Sequence, residues 1–192
     1  MSDLPIYKVL LVGDGNVGKT SLVRRFCEGK FEESRVLTIG VDFHYKTVQL
    51  GDRLLRLSIW DVAGQERFRS FRDQFYSGTL AAALIYDATA PATFFNLLRW
   101  RDELLAATPG VPMVVIGNKS DLGPVVPPGE AEGWAKYEGR MPFLTTSALT
   151  GENVESLFQG LAYLAYKHQE TLRELEKLRA QYLGPLSGGQ IK

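Results

Sequence analysis

Thiols are nearly absent from this chain. Cys27 is the only cysteine among 192 residues, so no internal disulfide can form and a reducing, cytoplasmic setting is expected. Its place in LVRRFCEG, on an expected helix, reads as that of a small apolar side chain rather than a reactive thiol. Long apolar runs are missing too: nothing approaches the about 20 residues that a membrane helix needs. The opening MSDLPIYKVLLVG is too short in its apolar part, and interrupted by Lys8, to read as a signal peptide. Nor is there an excess of one charge, since Lys plus Arg and Asp plus Glu both total 22. That excludes the broad basic face of a nucleic-acid binder, though not a local site for one small anion. The two histidines, His44 and His168, have no metal-like neighbours in sequence, and no internal repeat is visible.

What remains is an alternation of strand and helix signals in a length that suits one α/β domain. Ile6 to Val12 reads as a buried strand and Lys19 to Glu28 as a helix. Val41 to Leu50 and Leu54 to Trp60, rich in branched and aromatic residues, flank Gly51-Asp52, a good hairpin turn. Ala81 to Tyr86 and Val111 to Gly117 are continuous apolar runs of the kind found in central parallel strands. Thr93 to Ala107 reads as a helix, a further helix starts near Pro128, and Met141 to Thr145 is a last short strand. The total, about six strands and five helices, predicts a mostly parallel six-stranded sheet with one antiparallel edge strand. Ligands of such sheets sit beyond the carboxyl ends of the strands, and each motif below falls at such an end.

The first is Gly13-Asp14-Gly15-Asn16-Val17-Gly18-Lys19-Thr20, followed by Ser21. It matches G-x-x-x-x-G-K-S/T directly between a strand and a helix. Glycines let successive backbone N–H groups curl around phosphate oxygens, and the helix N-terminus adds positive potential. Lys19 is placed for the β- and γ-phosphates and the Thr20 hydroxyl for Mg²⁺. The pattern selects nucleotide phosphates but not the base.

The base is addressed by Asn118-Lys119-Ser120-Asp121, after the run MVVIG. A carboxylate such as Asp121 accepts from both N1–H and the exocyclic amine of guanine. Adenine offers no such pair of donors, and the unpaired buried carboxylate would penalise it. Thr146-Ser147-Ala148, after the last strand, falls where backbone N–H groups can meet the guanine carbonyl. Phe31 is a candidate for the base edge or, equally, for the core. Asp61, in Asp61-Val62-Ala63-Gly64-Gln65-Glu66, is an acid that can hold Mg²⁺ through water; the Gly64 N–H can contact a γ-phosphate and Gln65 can orient an attacking water.

At this point the chain resembles the Ras superfamily, and most closely its Rab branch. TIGVDF, IWDVAGQERFRSF, LIYDAT, GNKSD and TSALTGENVESLF follow one another in the family's order, and the resemblance covers roughly Tyr7 to Ala165. It implies a P-loop GTPase fold and a GTP/GDP switch that hydrolyses GTP with Mg²⁺, served by effector, exchange and GTPase-activating proteins. By the same resemblance Thr38 would ligate Mg²⁺ and sense the γ-phosphate. Gly15 would leave room for Gln65, and Phe43, Trp60 and Phe75 would meet effectors. Hairpin and helix core is the other reading of those three aromatics.

The chain also departs from the family. It ends SGGQIK, without prenylation cysteines or a polybasic tail, so no direct lipid anchor is expected and any membrane recruitment would go through a partner. Leu149 replaces the family's usual lysine, whose stem covers one face of the base; a leucine can still cover it, with a modest effect on affinity. The first switch reads Glu32 to Thr38, without the usual aromatic and proline. Within it, Arg35 lies three residues before Thr38. The string RVLTIG resembles that of the α subunits of heterotrimeric G proteins, where an arginine at this offset points at the γ-phosphate in cis. Arg35 is therefore a candidate internal arginine finger, the alternative being a solvated or partner-contacting side chain. The last helix, Gly151 to about Leu183, outruns the domain. Leu172, Leu175, Leu178 and Tyr182 keep helical spacing amid charges. The expected division is a GTP-binding domain over 1–166, an amphipathic extension over 167–183 open to self-association or a partner, and a flexible tail over 184–192. Two other functions fit parts of the pattern. One is a nucleotide-dependent scaffold with negligible hydrolysis; the other is a P-loop small-molecule kinase, against which Asn118 to Asp121 and Asp61 to Gln65 argue.

Overall fold

Alternation along β1, Ile6–Val12, sets up the whole architecture. Tyr7, Val9 and Leu11 enter one buried cluster, while Leu10 and Val12 enter another on the opposite face. The same division recurs in β4, Ala81–Asp87, and β5, Met113–Asn118, whose residues are all buried. A strand buried on both faces must be covered by helices on both sides, which makes a three-layer α/β/α domain. The computed structural model describes residues 4–31, 40–64 and 69–183.

The sheet runs β2-β3-β1-β4-β5-β6, with β2 at Val41–Leu50, β3 at Arg53–Val62 and β6 at Phe143–Thr146. Its edge strand β2 is antiparallel to β3, with Phe43 opposite Trp60, and the other pairs are parallel. The sheet is therefore the mostly parallel six-stranded one that the sequence predicts, hairpin included. One face carries α1, Lys19–Glu28, and α6, Val154–Leu183. The other carries α4, Leu97–Ala107, and α5, Pro128–Gly139. Two short helices complete the set: α2, Arg69–Tyr76, and α3, Pro91–Phe95.

The helix expected over Thr93 to Ala107 is broken at Asn96 into α3 and α4, and Pro91 brings its start forward. Pro91 occupies a first-turn position, where a missing N–H is tolerated. The strand expected from Val111 begins only at Met113, and the last strand starts at Phe143 rather than Met141. Both shifts follow a proline, Pro112 or Pro142, whose residue cannot donate to the ladder. Neither proline carbonyl is wasted: Pro112 accepts from Ala82 N–H and Pro142 from Val115 N–H.

Helix α6 is continuous over 30 residues. Its first half drives Val154, Leu157, Phe158, Leu161 and Ala165 into the core, and Phe158 stacks on Phe26 of α1 with ring centroids 4.1 Å apart. Past Tyr166 it keeps going with Leu172, Leu175, Leu178 and Tyr182 exposed. No described helix is long and apolar enough to cross a membrane. The tail over 184–192 lies outside the described residues.

Phe158 is fully buried. Phe158→Ala is expected to cost about 3–5 kcal/mol through lost burial and the cavity left beside Phe26, measured by chemical unfolding of the GDP-bound protein.

Candidate functional site

The site begins where β1 stops. Gly13 has φ +145°, and a Cβ there would come within 2.0 Å of the Ile85 carbonyl oxygen on β4. Only glycine fits, so the loop turns hard against the sheet. Helix α1 then starts at Lys19 with no side-chain cap and no acid in its first turn. Its N-terminal N–H groups and dipole are thus left for an anion. The Lys19 ammonium is buried and donates to the carbonyls of Gly13 (2.8 Å) and Asp14 (2.7 Å). Burial pulls its pKa down to about 8; the nearby Asp61 and Asp14 carboxylates oppose the shift and Arg72 adds to it.

Across the loop, the end of β3 brings in Asp61, whose buried carboxylate accepts a hydrogen bond from the Thr20 hydroxyl. Two of the three residues expected at the metal thus lie side by side, an oxygen-only pair of the kind Mg²⁺ takes. Gly64 lies so close to the loop that a Cβ would meet Asp14 C at 2.3 Å and both Gly13 O and Gly15 N at 2.4 Å. Thr38, Arg35 and Gln65 lie outside the described residues.

Next to the phosphate loop opens a cavity of about 410 Å³, lined by Asn16, Gly18, Ser21, Phe31, Asn118, Lys119, Asp121, Leu122, Ala148 and Leu149. Every one of these except Leu122 is expected from the sequence. Its walls are built by cross-bracing. Asn118, buried at the end of β5, donates from Nδ2 to Val17 O (2.8 Å) and accepts from Thr146 Oγ1 (3.1 Å), joining the phosphate loop to β6. Phe31 serves both of its expected roles, since it lines the cavity and packs on the core. Ser147 does not line the cavity. Its hydroxyl donates to Asp121 Oδ1 (2.5 Å) and accepts from Thr150 N–H (3.1 Å), which fixes the Asp121 carboxylate from behind. Its own N–H is donated to Glu152 O (3.1 Å), so of the residues expected to offer amides to the base, Ser147 is committed elsewhere and Ala148 faces the cavity.

Asp14 also departs from expectation. Its backbone belongs to the loop, but its carboxylate turns away to accept from Asn96 Nδ2 (2.7 Å) and Trp100 Nε1 (2.8 Å). Three further residues were not singled out for the site. Asp87, at the end of β4, pairs with Lys119 Nζ at 2.6 Å. Burial pushes its carboxyl up, but hydrogen bonds from Lys119 and Thr89 outweigh this and hold it below the ordinary carboxylate value. An acid closing an apolar run was the only signal for it. Arg25 of α1 donates to the carbonyls of Ala148 (Nε, 3.0 Å) and Leu149, holding the loop after β6. Leu122 lines the cavity from the 3-10 turn Ser120–Leu122.

Comparison with known proteins places these features in a family. Residues 8–167 match the Ras family. The chain is 44% identical over 174 residues to the Ras-related protein Rab7 of Pisum sativum, spanning 86% of this chain and 84% of that protein. It is 41% identical over 173 residues to the Ras-related protein RABG3d of Arabidopsis thaliana (85% and 84% of the two chains). Against RABA6b of the same plant it is 46% identical over 156 residues (80% and 68%). The chain belongs to the Ras family, in its Rab branch. It is a small GTPase, a guanine-nucleotide switch that hydrolyses GTP.

The GTPase also carries an aromatic strip beside this site. Phe43 of β2, more than half exposed, lies 5.8 Å from Trp60 of β3, and Trp60 lies 6.1 Å from the half-buried Phe75 of α2. Tyr45 extends the strip, 6.4 Å from Phe43. The Cys27 thiol is half-buried, and burial pushes its pKa up. Among the described residues no cluster of three potential metal-ligating side chains is present.

Asn118→Ala removes the brace between the phosphate loop and β6 and strands the buried Thr146 hydroxyl. It is expected to lower stability by about 1–3 kcal/mol and to speed GDP release, read by unfolding and by fluorescent-nucleotide displacement.

Proposed function

We propose that this GTPase holds GTP and GDP with the phosphates in the loop Gly13 to Ser21 and the base in the adjoining cavity, with Asp121 as the guanine reader. The observation that carries this reading is Asp121 itself. It lines a cavity that opens onto the phosphate loop, and its carboxylate is oriented by Ser147 Oγ. Phe31, Lys119 and Leu149 cover the base, Leu149 in place of a lysine stem. Ala148 supplies the amide for the guanine carbonyl. Lys19 meets the β- and γ-phosphates, for which it would exchange its present carbonyl partners.

The paired oxygens of Thr20 and Asp61 fit a hard cation, and with Thr38 they are the residues that would hold Mg²⁺. When bound, that ion neutralises charge on the phosphate oxygens. Gln65 orients the attacking water, Gly64 N–H and Thr38 respond to the γ-phosphate, and Arg35 acts as an arginine finger in cis. Support for Arg35 is its offset from Thr38; support for Gly64 is its contact with the phosphate-loop backbone. The strip Phe43, Trp60 and Phe75 is the surface for effectors. Residues 1–166 form the GTP-binding domain. The exposed Leu175, Leu178 and Tyr182 of the extension over 167–183 are available to a partner or a second copy.

Two measurements test this reading. Single-turnover GTP hydrolysis is expected to fall in Gln65→Leu, and at least about ten-fold in Arg35→Ala, with GDP affinity nearly unchanged in the latter. An unchanged rate in Arg35→Ala removes the finger.

The second follows from Lys19, lowered to about 8. The empty site loses its ammonium proton as pH rises through that value, whereas bound phosphates require the charged form. The Lys19 contribution to nucleotide affinity is therefore flat below about pH 8 and falls above it, by up to about ten-fold per pH unit. Binding above pH 8 takes up protons. Titration calorimetry in buffers of different ionisation heat reads that uptake, and none at pH 9 removes the role given to Lys19.

A further inference from the structure

Trp100 sits in the first turn of α4, fully buried, and both polar features of its ring are used by opposite charges. Its indole N–H is donated to the Asp14 carboxylate of the phosphate loop at 2.8 Å. Its face carries the Arg72 guanidinium of α2 at 4.2 Å from the ring centroid. Arg72 is itself 1% exposed and forks onto Glu103, one turn along α4 from Trp100: Nε to Oε1 at 2.9 Å and Nη2 to Oε2 at 3.0 Å. Tyr76 adds its hydroxyl to Oε1 at 2.6 Å, and Arg72 Nη1 reaches the Ala63 carbonyl at 3.5 Å.

Apolar packing alone would not require this. A buried tryptophan needs one acceptor for its N–H, and a backbone carbonyl would serve. Here the acceptor is a carboxylate drawn from the phosphate loop and turned toward the α3–α4 junction. A carboxylate turned into the loop would repel nucleotide phosphates. The cation nearest the ring is a buried one from α2, with Arg99 of α4 farther out. Charge-assisted hydrogen bonds and desolvated cation–π contacts are the strong members of their classes. In a low-dielectric interior they act on one another.

We propose that Trp100 is a positioning residue that couples the phosphate loop to α2: Asp14, Trp100, Arg72 and Glu103 act as one unit, and the placement of α2 against α4 depends on the Asp14 carboxylate. This rests on the roles given above to the phosphate loop and Gln65. The Arg72–Glu103 pair fixes α2 on α4, and the indole N–H fixes α4 on the phosphate loop. Displacement at either end is resisted at the other. Asn96 donates to Asp14 at 2.7 Å and holds the carboxylate to the α3–α4 junction. Arg99 donates to it at 3.4 Å and also lies over the Trp100 ring, 5.7 Å from its centroid, farther out than Arg72, so it backs the same link from the loop side.

A double-mutant cycle tests the coupling, using the full chain loaded with nucleotide. Asp14→Asn and Glu103→Gln each keep side-chain shape while removing a charge. Single-turnover GTP hydrolysis is measured for both, singly and together, in the native background and in W100F, which keeps an aromatic face and deletes the N–H. In the native background the double variant is expected to deviate from the product of the single effects by about five-fold or more. In W100F the two effects multiply independently to within about two-fold. Independent effects in the native background, or the same coupling in W100F, overturn the proposal. Absence of hydrolysis by the native protein counts against Gln65 and Arg35 instead, and the same cycle read on GDP release then decides. Should W100F not fold, the indole N–H resonance of Trp100, identified by its displacement in Asp14→Asn, replaces it. A shift of that resonance in Glu103→Gln supports the coupling, and a resonance blind to Glu103 overturns it.

Discussion

A loop built to grip phosphates with bare backbone has no side chains with which to hold itself in shape. Everything else about this molecule answers that constraint. Gly13 and Gly18 are glycine because backbone or amide atoms of neighbouring elements occupy the space a Cβ would need: the Ile85 carbonyl in one case, Asn118 Nδ2 at 2.3 Å in the other. The loop is therefore moulded from outside, by β4, by Asn118 at the end of β5, by Gly64 after β3 and by the Lys19 ammonium folded back on its carbonyls. Apart from Lys19, which opens α1, each clamp comes from the carboxyl-terminal part of a different strand. That explains why a parallel sheet, which gathers those ends on one edge, is the right support for such a loop.

The same economy appears in the base cavity. Two side chains that line the cavity are oriented by ones that do not, Asp121 by Ser147 and Lys119 by Asp87, and Arg25 holds a backbone carbonyl after β6. A buried carboxylate or ammonium with freedom to rotate would lose the geometry that discriminates one base from another, because that discrimination lives in paired donors and acceptors. The supporting residues are mostly charged or hydroxylic and substantially buried. The region around the cavity is a polar network that must be satisfied as a whole.

Away from the nucleotide the chemistry changes character. The strip of Phe43, Tyr45, Trp60 and Phe75 shows aromatic surface to solvent across β2, β3 and α2, directly beyond the end of β3 that delivers Asp61 and Gly64. Lys8 lies over the Trp60 ring at 3.9 Å and gives it a cationic backing. This surface lies within a few residues of Asp61 and Gly64 in sequence and is continuous from β2 through β3 to α2.

Much of this was legible in the chain. The strands and helices followed from apolar runs and turn residues, while prolines moved several of their limits. Three motifs, at Gly13, Asp61 and Asn118, identified the chemistry because their residue types and order are hard to satisfy by chance. Recognition is local, since a phosphate loop or a base-reading aspartate is spelled in consecutive residues. The sequence by itself determined the α/β class, the nucleotide and the family. Tertiary structure alone decided which side chains stand behind the site. Asp14 sits inside the phosphate motif yet points at Trp100, 86 residues away; Ser147 sits inside a base motif yet serves Asp121; Asp87 and Arg25 belong to no motif at all. Such supports are set by which atoms end up within about 3 Å of one another, and a chain read in one dimension carries no distance across the sheet.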